Sequence, residues 1–165
     1  MMHLALLQAE KCDPVPTAFS VGCVIVSRWP HDNPTSFVLS TGYSRELEGN
    51  THAEANALAK ARQLSSQELS NLLQLSDLDS VSVREVLRNS DVYTTMEPCS
   101  IRLSGLPPCA DALIGAGIRR CFIGVGEPDD FVKCEGADKL KDANIQVIWL
   151  KDMEEECLQA ARKGR

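Results

Sequence analysis

The sequence predicts an α/β fold, a three-layer α-β-α sandwich in which helices cover both faces of a five-stranded mixed sheet. Two observations carry this prediction. Residues 19–43 contain two strand-like runs separated by a loop, which is typical of an antiparallel hairpin. Beyond residue 90, short strand patterns alternate with helical ones, which is typical of parallel β-α units. With 165 residues, a single domain over 1–165 is expected.

The first half of the chain supplies a helix, the hairpin and a second helix. The opening helix should end at the stiff segment Asp13-Pro14-Val15-Pro16, because the residue before a proline avoids helical geometry. The turn Glu48-Gly49-Asn50-Thr51 should precede an alanine-rich second helix. The predicted elements are a helix over Met2–Cys12, strands over Phe19–Ser27 and Ser36–Tyr43, and a helix over His52–Arg62.

Residues 64–90 are rich in serine and leucine, and three leucines recur at helical spacing: Leu69, Leu72 and Leu73. We expect a helical excursion packed on the outside of the domain. A role as decoration and a role as a lid or interface both remain open for it.

The second half alternates strands with helices. Two prolines suit the first turn of the helix that begins near Cys109, and Gly117 suits its end. The predicted strands are Asp91–Met96, Arg120–Val125 and Ile145–Leu150, and the predicted helices are Pro107–Ala116, Gly136–Ala143 and Asp152–Arg162.

Charge and cysteine content disfavour several classes of protein. The net charge of -6 lacks the basic stripe of a nucleic-acid binder. No apolar run approaches the roughly 20 residues that a membrane span needs. Seven cysteines without a secretory signal argue against a disulfide framework. We therefore expect a cytoplasmic protein with neither nucleic-acid nor membrane partners.

Three short segments contain metal-ligand residue types at element boundaries. His52-Ala53-Glu54 opens a predicted helix, Glu97-Pro98-Cys99 ends a predicted strand, and Cys109 opens the next helix. One histidine and two cysteines give three protein ligands, whereas structural zinc sites are usually closed by four. The pattern therefore predicts a catalytic Zn²⁺ held by His52, Cys99 and Cys109, with one position left for water.

Glu54 is the candidate catalytic residue. Zn²⁺ with two thiolates is formally neutral, so water at the open position becomes acidic enough to act as a nucleophile near neutral pH. Glu54 could take a proton from that water and pass it to the substrate. The alternative is that His52 only caps a helix while Cys99 and Cys109 are small buried residues.

The remaining cysteines and histidines suit other roles. Cys23 and Cys121 lie in predicted strands and should belong to the core. No ligand role is assigned to the residues without partner spacing, which are Cys12, Cys134, Cys157, His3 and His31.

The combined motifs resemble those of the cytidine deaminase superfamily, whose signature pairs H-x-E with P-C-x-x-C. This chain departs from the signature because nine residues, not two, separate Cys99 from Cys109. That longer loop is similar to the loop of the riboflavin-biosynthesis pyrimidine deaminases. The similarity includes Thr95–Ser100, Pro107–Ile114 and Val132–Ala137. It covers most of residues 18–150 and implies a cytidine-deaminase-like fold.

The loop segment Arg102-Leu103-Ser104-Gly105 resembles the fungal type of this family more than the bacterial type. The resemblance implies a phosphorylated pyrimidine substrate whose ribosyl ring is already reduced, 2,5-diamino-6-ribitylamino-4(3H)-pyrimidinone 5'-phosphate. Hydrolysis at C2 would release ammonia and form the 5-amino-6-ribitylamino-2,4-pyrimidinedione phosphate. We expect a homodimer. The residues expected to bind the substrate are Arg45, Ala53, Glu97, Pro98, Arg102, Ser104 and Lys133.

Three of these residues, Arg45, Arg102 and Lys133, could neutralise the substrate phosphate, and a role as solvated surface charge competes for each. Two other functions also remain. A deaminase of transfer-RNA adenosine or of a free nucleotide would use the same fold, although a transfer-RNA enzyme would need a basic face. A zinc-stabilised interaction module would have no use for the Glu54 carboxylate.

Overall fold

The computed structural model describes residues 1–29, 36–75, 81–102, 105–128 and 134–164. Its centre is a five-stranded sheet in the order β2-β1-β3-β4-β5. Strand β1 is antiparallel to both β2 and β3, whereas β3, β4 and β5 are mutually parallel. The sheet is therefore mixed, as expected. The strands are β1 (Gly22–Ser27), β2 (Phe37–Tyr43), β3 (Ser90–Met96), β4 (Arg120–Val125) and β5 (Gln146–Trp149).

Seven α-helices lie within the described ranges, and a short 3₁₀ turn, Lys151–Met153, precedes the last one. They are α1 (Met2–Ala9), α2 (Ala53–Gln63), α3 (Ser66–Leu73), α4 (Val83–Arg88), α5 (Cys109–Ala116), α6 (Gly136–Asp142) and α7 (Glu154–Ala161). Gly117 ends α5 at φ 71°, a left-handed conformation that favours glycine. The predicted order of elements is confirmed, and the boundaries shift by a few residues at several ends.

The start of β1 moved by three residues, from Phe19 to Gly22, as did the end of α1, from Cys12 to Ala9. A Cβ atom on Gly22 would lie 1.9 Å from the carbonyl oxygen of Ala5, so α1 crosses the strand in direct contact with its backbone. The residues before Gly22 bond elsewhere, since Ser20 donates its backbone N–H to Ala161. Tertiary packing, not β propensity, sets this boundary.

The sheet divides the core into two layers. On one face, α2 to α6 pack on residues such as Ile25, Val92 and Ile123. On the other face, α1 and α7 pack on residues such as Val24 and Val125. The expected core cysteines Cys23 and Cys121 are fully buried. The arrangement is the three-layer sandwich that the sequence predicts.

Residues 64–90 form α3 and α4 in their described parts. Each helix begins with a capping box, Ser65 with Glu68 and Ser82 with Glu85. Their apolar side chains join the core layer on the α2 side of the sheet: Leu69, Leu73, Val86 and Leu87. None of the described helices is both long and apolar enough to cross a membrane.

Candidate active site

A cluster of three metal-ligand side chains lies where β3 ends and α2 and α5 begin. The potential ligand atoms of His52, Cys99 and Cys109 all lie within 4.8 Å of one another. His52 Nδ1 is 3.5 Å from the Sγ atoms of both cysteines. Tetrahedral zinc with bonds of about 2.3 Å to sulfur and about 2.05 Å to nitrogen would place those atoms about 3.6 Å apart. The donor set and its spacing therefore fit a zinc ion.

Local backbone geometry presents the histidine. His52 is the N-cap residue of α2 with φ -98° and ψ 153°, and its side chain makes no capping hydrogen bond. The imidazole is thus free to point off the helix end towards the two thiols. The alternative prediction is that the His52 side chain only caps the helix, and the missing capping hydrogen bond argues against it.

Two backbone N–H groups at the start of α5 bond to Cys99 and so hold the two cysteines close together. The Cys109 N–H, at the start of α5, donates to Cys99 Sγ at 3.3 Å, and the Ala110 N–H donates to the Cys99 carbonyl at 3.2 Å. N–H groups at a helix N-terminus favour a nearby negative charge. The nine-residue loop therefore returns Cys109 to the position that a second thiolate ligand requires.

The ionisation of the cluster favours metal capture. A hydrogen bond from the Cys109 thiol, together with the His52 ring, lowers the pKa of Cys99 to about 4 despite burial. The same thiol–thiolate bond, reinforced by burial, raises the pKa of Cys109 well above its usual value. The Cys99 thiolate also raises the pKa of His52. The two thiols thus favour sharing one proton, and a metal ion bound to both sulfur atoms would release it.

Glu54 lies beside this cluster and is only 3% exposed. Its Oε1 accepts a hydrogen bond from Thr94 Oγ1 at 2.9 Å. Burial, together with the Cys99 thiolate, raises the pKa of the Glu54 carboxyl. A carboxyl with a raised pKa binds a proton more readily than an ordinary carboxylate does, which suits a group that must both accept and return protons. The location suits a proton shuttle next to a metal ion.

Two members of the cluster, His52 and Cys99, line one cavity together with Glu54, and its volume is about 180 Å³. Its walls come from the segment before β1, the loop after β2, the start of α2, and the segments that follow β3 and β4. The lining residues are Thr17, Ala18, Phe19, Val21, Ser44, Arg45, Asn50, His52, Glu54, Met96, Glu97, Cys99 and Glu127.

Arg45 has an unusual backbone and an incompletely bonded side chain. Its φ of 63° is in the left-handed region, which is uncommon for a residue with a side chain. Two guanidinium nitrogens donate to the carbonyls of Phe19 and Asp13 at 3.0 and 2.8 Å. The buried Nε has no hydrogen-bond partner among the described residues. The side chain therefore ties the segment before β1 to the cavity while keeping a donor unused.

The other residues expected to bind substrate lie at different places around the cavity or outside the described residues. Glu97 lines the cavity, and its Oε1 accepts from the N–H of Ala137 at 2.8 Å. Arg102 donates to the Asn50 carbonyl at 2.6 Å and so joins the inter-cysteine loop to the loop after β2. Ala53 is buried in the first turn of α2, and the Pro98 carbonyl accepts from the Cys134 thiol. Ser104 and Lys133 lie outside the described residues.

Several polar residues of the site were not found by sequence reasoning, and Glu127 and Thr94 are two of them. Glu127 lines the cavity, and burial raises the pKa of its carboxyl. Its position just after the carboxyl end of β4 could have marked it, because α/β sites form at that edge of a sheet. Thr94 lies in the middle of a strand, where no sequence signal distinguishes it from other core threonines.

The fold and the site define a deaminase of the zinc-binding type. The family model described as "Cytidine and deoxycytidylate deaminase zinc-binding region" matches residues 1–125, and the chain belongs to this family. The chain is 40% identical over 163 residues to a diaminohydroxyphosphoribosylamino-pyrimidine deaminase of Schizosaccharomyces pombe, covering 99% of this chain and 34% of that protein. It is 30% identical over 150 residues to the riboflavin biosynthesis protein RibD of Aquifex aeolicus, covering 88% of this chain and 33% of that protein.

A solved structure extends the comparison. The Rib2 deaminase of Aspergillus oryzae, crystallised as a C-terminal deletion mutant in complex with DARIPP, superposes with a TM-score of 0.75 at 35% identity. The match covers 99% of this chain and 89% of that one. The chain thus spans about a third of the two longer relatives and nearly all of this deaminase structure.

Proposed function

We propose that the protein hydrolyses 2,5-diamino-6-ribitylamino-4(3H)-pyrimidinone 5'-phosphate to the corresponding 2,4-pyrimidinedione phosphate and ammonia, as a step of riboflavin biosynthesis. The observation that carries the proposal is that two residues of the His52, Cys99 and Cys109 cluster share one cavity with a buried carboxyl, Glu54. The resemblance to the S. pombe deaminase and to the Rib2 deaminase bound to DARIPP supports the choice of substrate class.

In this proposal, His52, Cys99 and Cys109 hold one Zn²⁺. When bound, zinc supplies Lewis-acid activation of water. The three protein ligands leave a coordination position free, which suits a catalytic rather than a purely structural ion. The hydrogen bond from the Cys109 N–H to Cys99 Sγ holds the two sulfur donors close together.

Glu54 moves the protons. The reaction adds one water molecule at C2 and expels the 2-amino group as ammonia, so no oxidant or reductant is needed. Glu54 takes one proton from the attacking water and donates it to the adjacent ring nitrogen. It then takes the remaining proton from the new hydroxyl on C2 and supplies it to the leaving amine, so that ammonia departs as the C2 carbonyl forms. Burial suits the carboxyl to this cycle because its raised pKa brings the two protonation states closer in energy.

The polar groups of the cavity fit an amino-rich, phosphorylated ring. Glu97 and Glu127 place carboxylate oxygens along the wall, where exocyclic amines can donate to them. Arg45 offers the unused Nε and a positive charge, which suit the phosphate or a ribityl hydroxyl. Arg102 is the second candidate for the phosphate, because its bond to Asn50 holds it against the loop that lines the cavity.

The test is ammonia release by the zinc-loaded protein with three substrates in parallel: the ribityl compound, its unreduced ribosyl analogue and dCMP. We expect turnover to be fastest with the ribityl compound. Faster turnover of the ribosyl analogue would reject the reduced substrate, and faster turnover of dCMP would reject the diaminopyrimidinone substrates in favour of a cytosine nucleotide. The proposal includes a cytoplasmic homodimer, whose assembly size-exclusion chromatography with light scattering would measure.

A further inference from the structure

The side-chain hydroxyl of Thr94, on β3, lies within hydrogen-bonding distance of the Glu54 carboxyl. Thr94 is 0% exposed, and its Oγ1 lies 2.9 Å from Glu54 Oε1 and 3.0 Å from the Met96 carbonyl oxygen. A hydroxyl has one hydrogen and two lone pairs, so it can donate to only one of these acceptors at a time. The carboxylate, as the charged acceptor, forms the stronger bond.

The neighbouring strands offer no equivalent donor at this position. The register partners of Thr94 are Cys23 on β1 and Ile123 on β4. A thiol is a weak donor, and an isoleucine side chain has none. Within this row of the sheet, the Thr94 hydroxyl is therefore the strong donor that reaches the catalytic carboxyl.

A bond to Oε1 matters because the terminal torsion of a glutamate side chain is soft. That torsion has a broad, two-fold energy profile, so packing alone does not fix the plane of the carboxyl group. A small misplacement of a reacting group can cost a large part of the rate. With Oε1 held, the second oxygen keeps one direction relative to the metal ligands and the cavity.

We infer that Thr94 is a positioning residue, whose hydroxyl holds Oε1 of Glu54 so that the other carboxyl oxygen is aligned for proton transfer. This inference rests on the proposed function, because it assigns Thr94 a part in the reaction that Glu54 performs. Thr94 itself does not contact the reacting atoms. Its effect should therefore appear in kcat and not in substrate binding.

The experiment compares Thr94→Ser with Thr94→Ala. Both variants lack the methyl group, so any cavity effect largely cancels, and they differ only in the hydroxyl. We expect Thr94→Ala to lower kcat about 10- to 100-fold, the usual cost of losing a group that orients a functional side chain. KM, zinc content and melting temperature should stay close between the two variants, and Thr94→Ser should keep most of the parent's kcat. Thr94→Val, which fills the space without donating, should behave as Thr94→Ala does.

The matched control is Thr95→Val on the opposite face of β3. Thr95 Oγ1 accepts from the Gly22 N–H at 3.1 Å and does not bond Glu54, so its loss should reduce stability while kcat is kept. Equal kcat values for Thr94→Ser and Thr94→Ala, or an equal loss of kcat in Thr95→Val, would overturn the inference. Failure of the parent protein to release ammonia would contradict both proposals, whereas an active parent with an active Thr94→Ala variant would contradict only the role of Thr94.

Discussion

A Cβ atom on Gly136 would lie 1.6 Å from the carbonyl oxygen of Pro98, so the first residue of α6 directly contacts the segment that carries Cys99. The next residue of the helix, Ala137, donates its N–H to Glu97 Oε1 at 2.8 Å. The two residues that precede Cys99 are thus both tied to the N-terminus of α6. This contact holds the segment that carries one proposed metal ligand, Cys99, from outside the proposed metal site.

Gly136→Ala should displace the Cys99 segment. Forcing a methyl group into such a contact typically costs about 1–3 kcal/mol of unfolding free energy and shifts the backbone. We expect lower zinc affinity and lower kcat together, measured by metal analysis and ammonia release. The control is Gly115→Ala in α5, where a Cβ would meet no atom within 4 Å. Replacing a helical glycine there should stabilise the protein by about 0.5–1 kcal/mol. Normal zinc affinity in Gly136→Ala would show that α6 does not position the ligand.

Glu54→Gln should keep zinc and fold but lose nearly all turnover. Glutamine is close to glutamate in volume, and Glu54 is not among the three proposed ligands. What disappears is the group that transfers protons, and general acid–base catalysis is worth about 10²–10⁴-fold. Zinc content, thermal melting and ammonia release should be measured on the same sample. Substantial residual activity would exclude Glu54 as the shuttle, and loss of zinc would make it a ligand or a support for one.

Cys109→Ser should lose zinc and stability together. A serine hydroxyl is a poor replacement for the thiolate, and metal binding at such a site is linked to folding. We expect one zinc per chain in the parent and less than that in the variant, with a lower melting temperature. Cys134→Ser is the control, because the Cys134 thiol donates to the Pro98 carbonyl and is not in the ligand cluster. Equal zinc content in Cys109→Ser and the parent would contradict the three-ligand site.

Arg45→Ala should raise KM more than it lowers kcat. The guanidinium holds the segment before β1, and its Nε has no hydrogen-bond partner among the described residues, which supports the proposed contact with the substrate. Losing an interaction made equally in the ground and transition states changes KM rather than kcat. Initial rates over a range of substrate concentrations give both constants. Arg62→Ala, an exposed change on α2, should leave both unchanged. If Arg45→Ala matches the parent, Arg45 is only a surface charge.

Asp91→Asn should destabilise the far end of β3 without affecting the site. Asp91 is 0% exposed and accepts hydrogen bonds from Arg28 at 2.7 Å and Arg120 at 2.8 Å. Burial opposes ionisation, but the two guanidinium groups outweigh it and hold the pKa of Asp91 below its usual value. Hydrogen bonds to charged groups suggest a cost of about 2 kcal/mol. Urea unfolding of the parent and the variant at several pH values would measure it.

The sign of the pH dependence follows from the lowered pKa of Asp91 in the folded state. Its stabilising contribution is fully present above the unfolded pKa of about 3.9 and is lost as the pH falls through the folded pKa. The difference between parent and Asp91→Asn should therefore be constant near neutral pH and shrink in acid. Asp138→Asn, which alters an exposed i,i+3 pair with Lys141, should cost little at any pH. A difference that grows in acid would contradict this assignment.

Several features were determined by the sequence alone because they depend on near neighbours in the chain. The run Val24-Ile25-Val26 makes a buried strand through β-branched side chains, and Gly117 ends α5 because it adopts a positive φ. His52 and Glu54 are brought to one helix start by covalent proximity. The residue types of the H-x-E and P-C motifs therefore point to the chemistry before any contact is known.

Only the tertiary structure decided how distant groups meet. Cys99 and Cys109 converge on His52 because β3 lies inside the sheet between β1 and β4, an order that no local pattern encodes. Thr94 contacts Glu54, which is 40 residues away in the sequence. Gly136, the first residue of α6, contacts Pro98, which follows β3. Such pairs arise from the packing of helices on a sheet, where close approach and hydrogen bonding depend on three-dimensional position. The sequence indicates the types of residue that could bind the metal, but it does not indicate which groups hold and orient those residues.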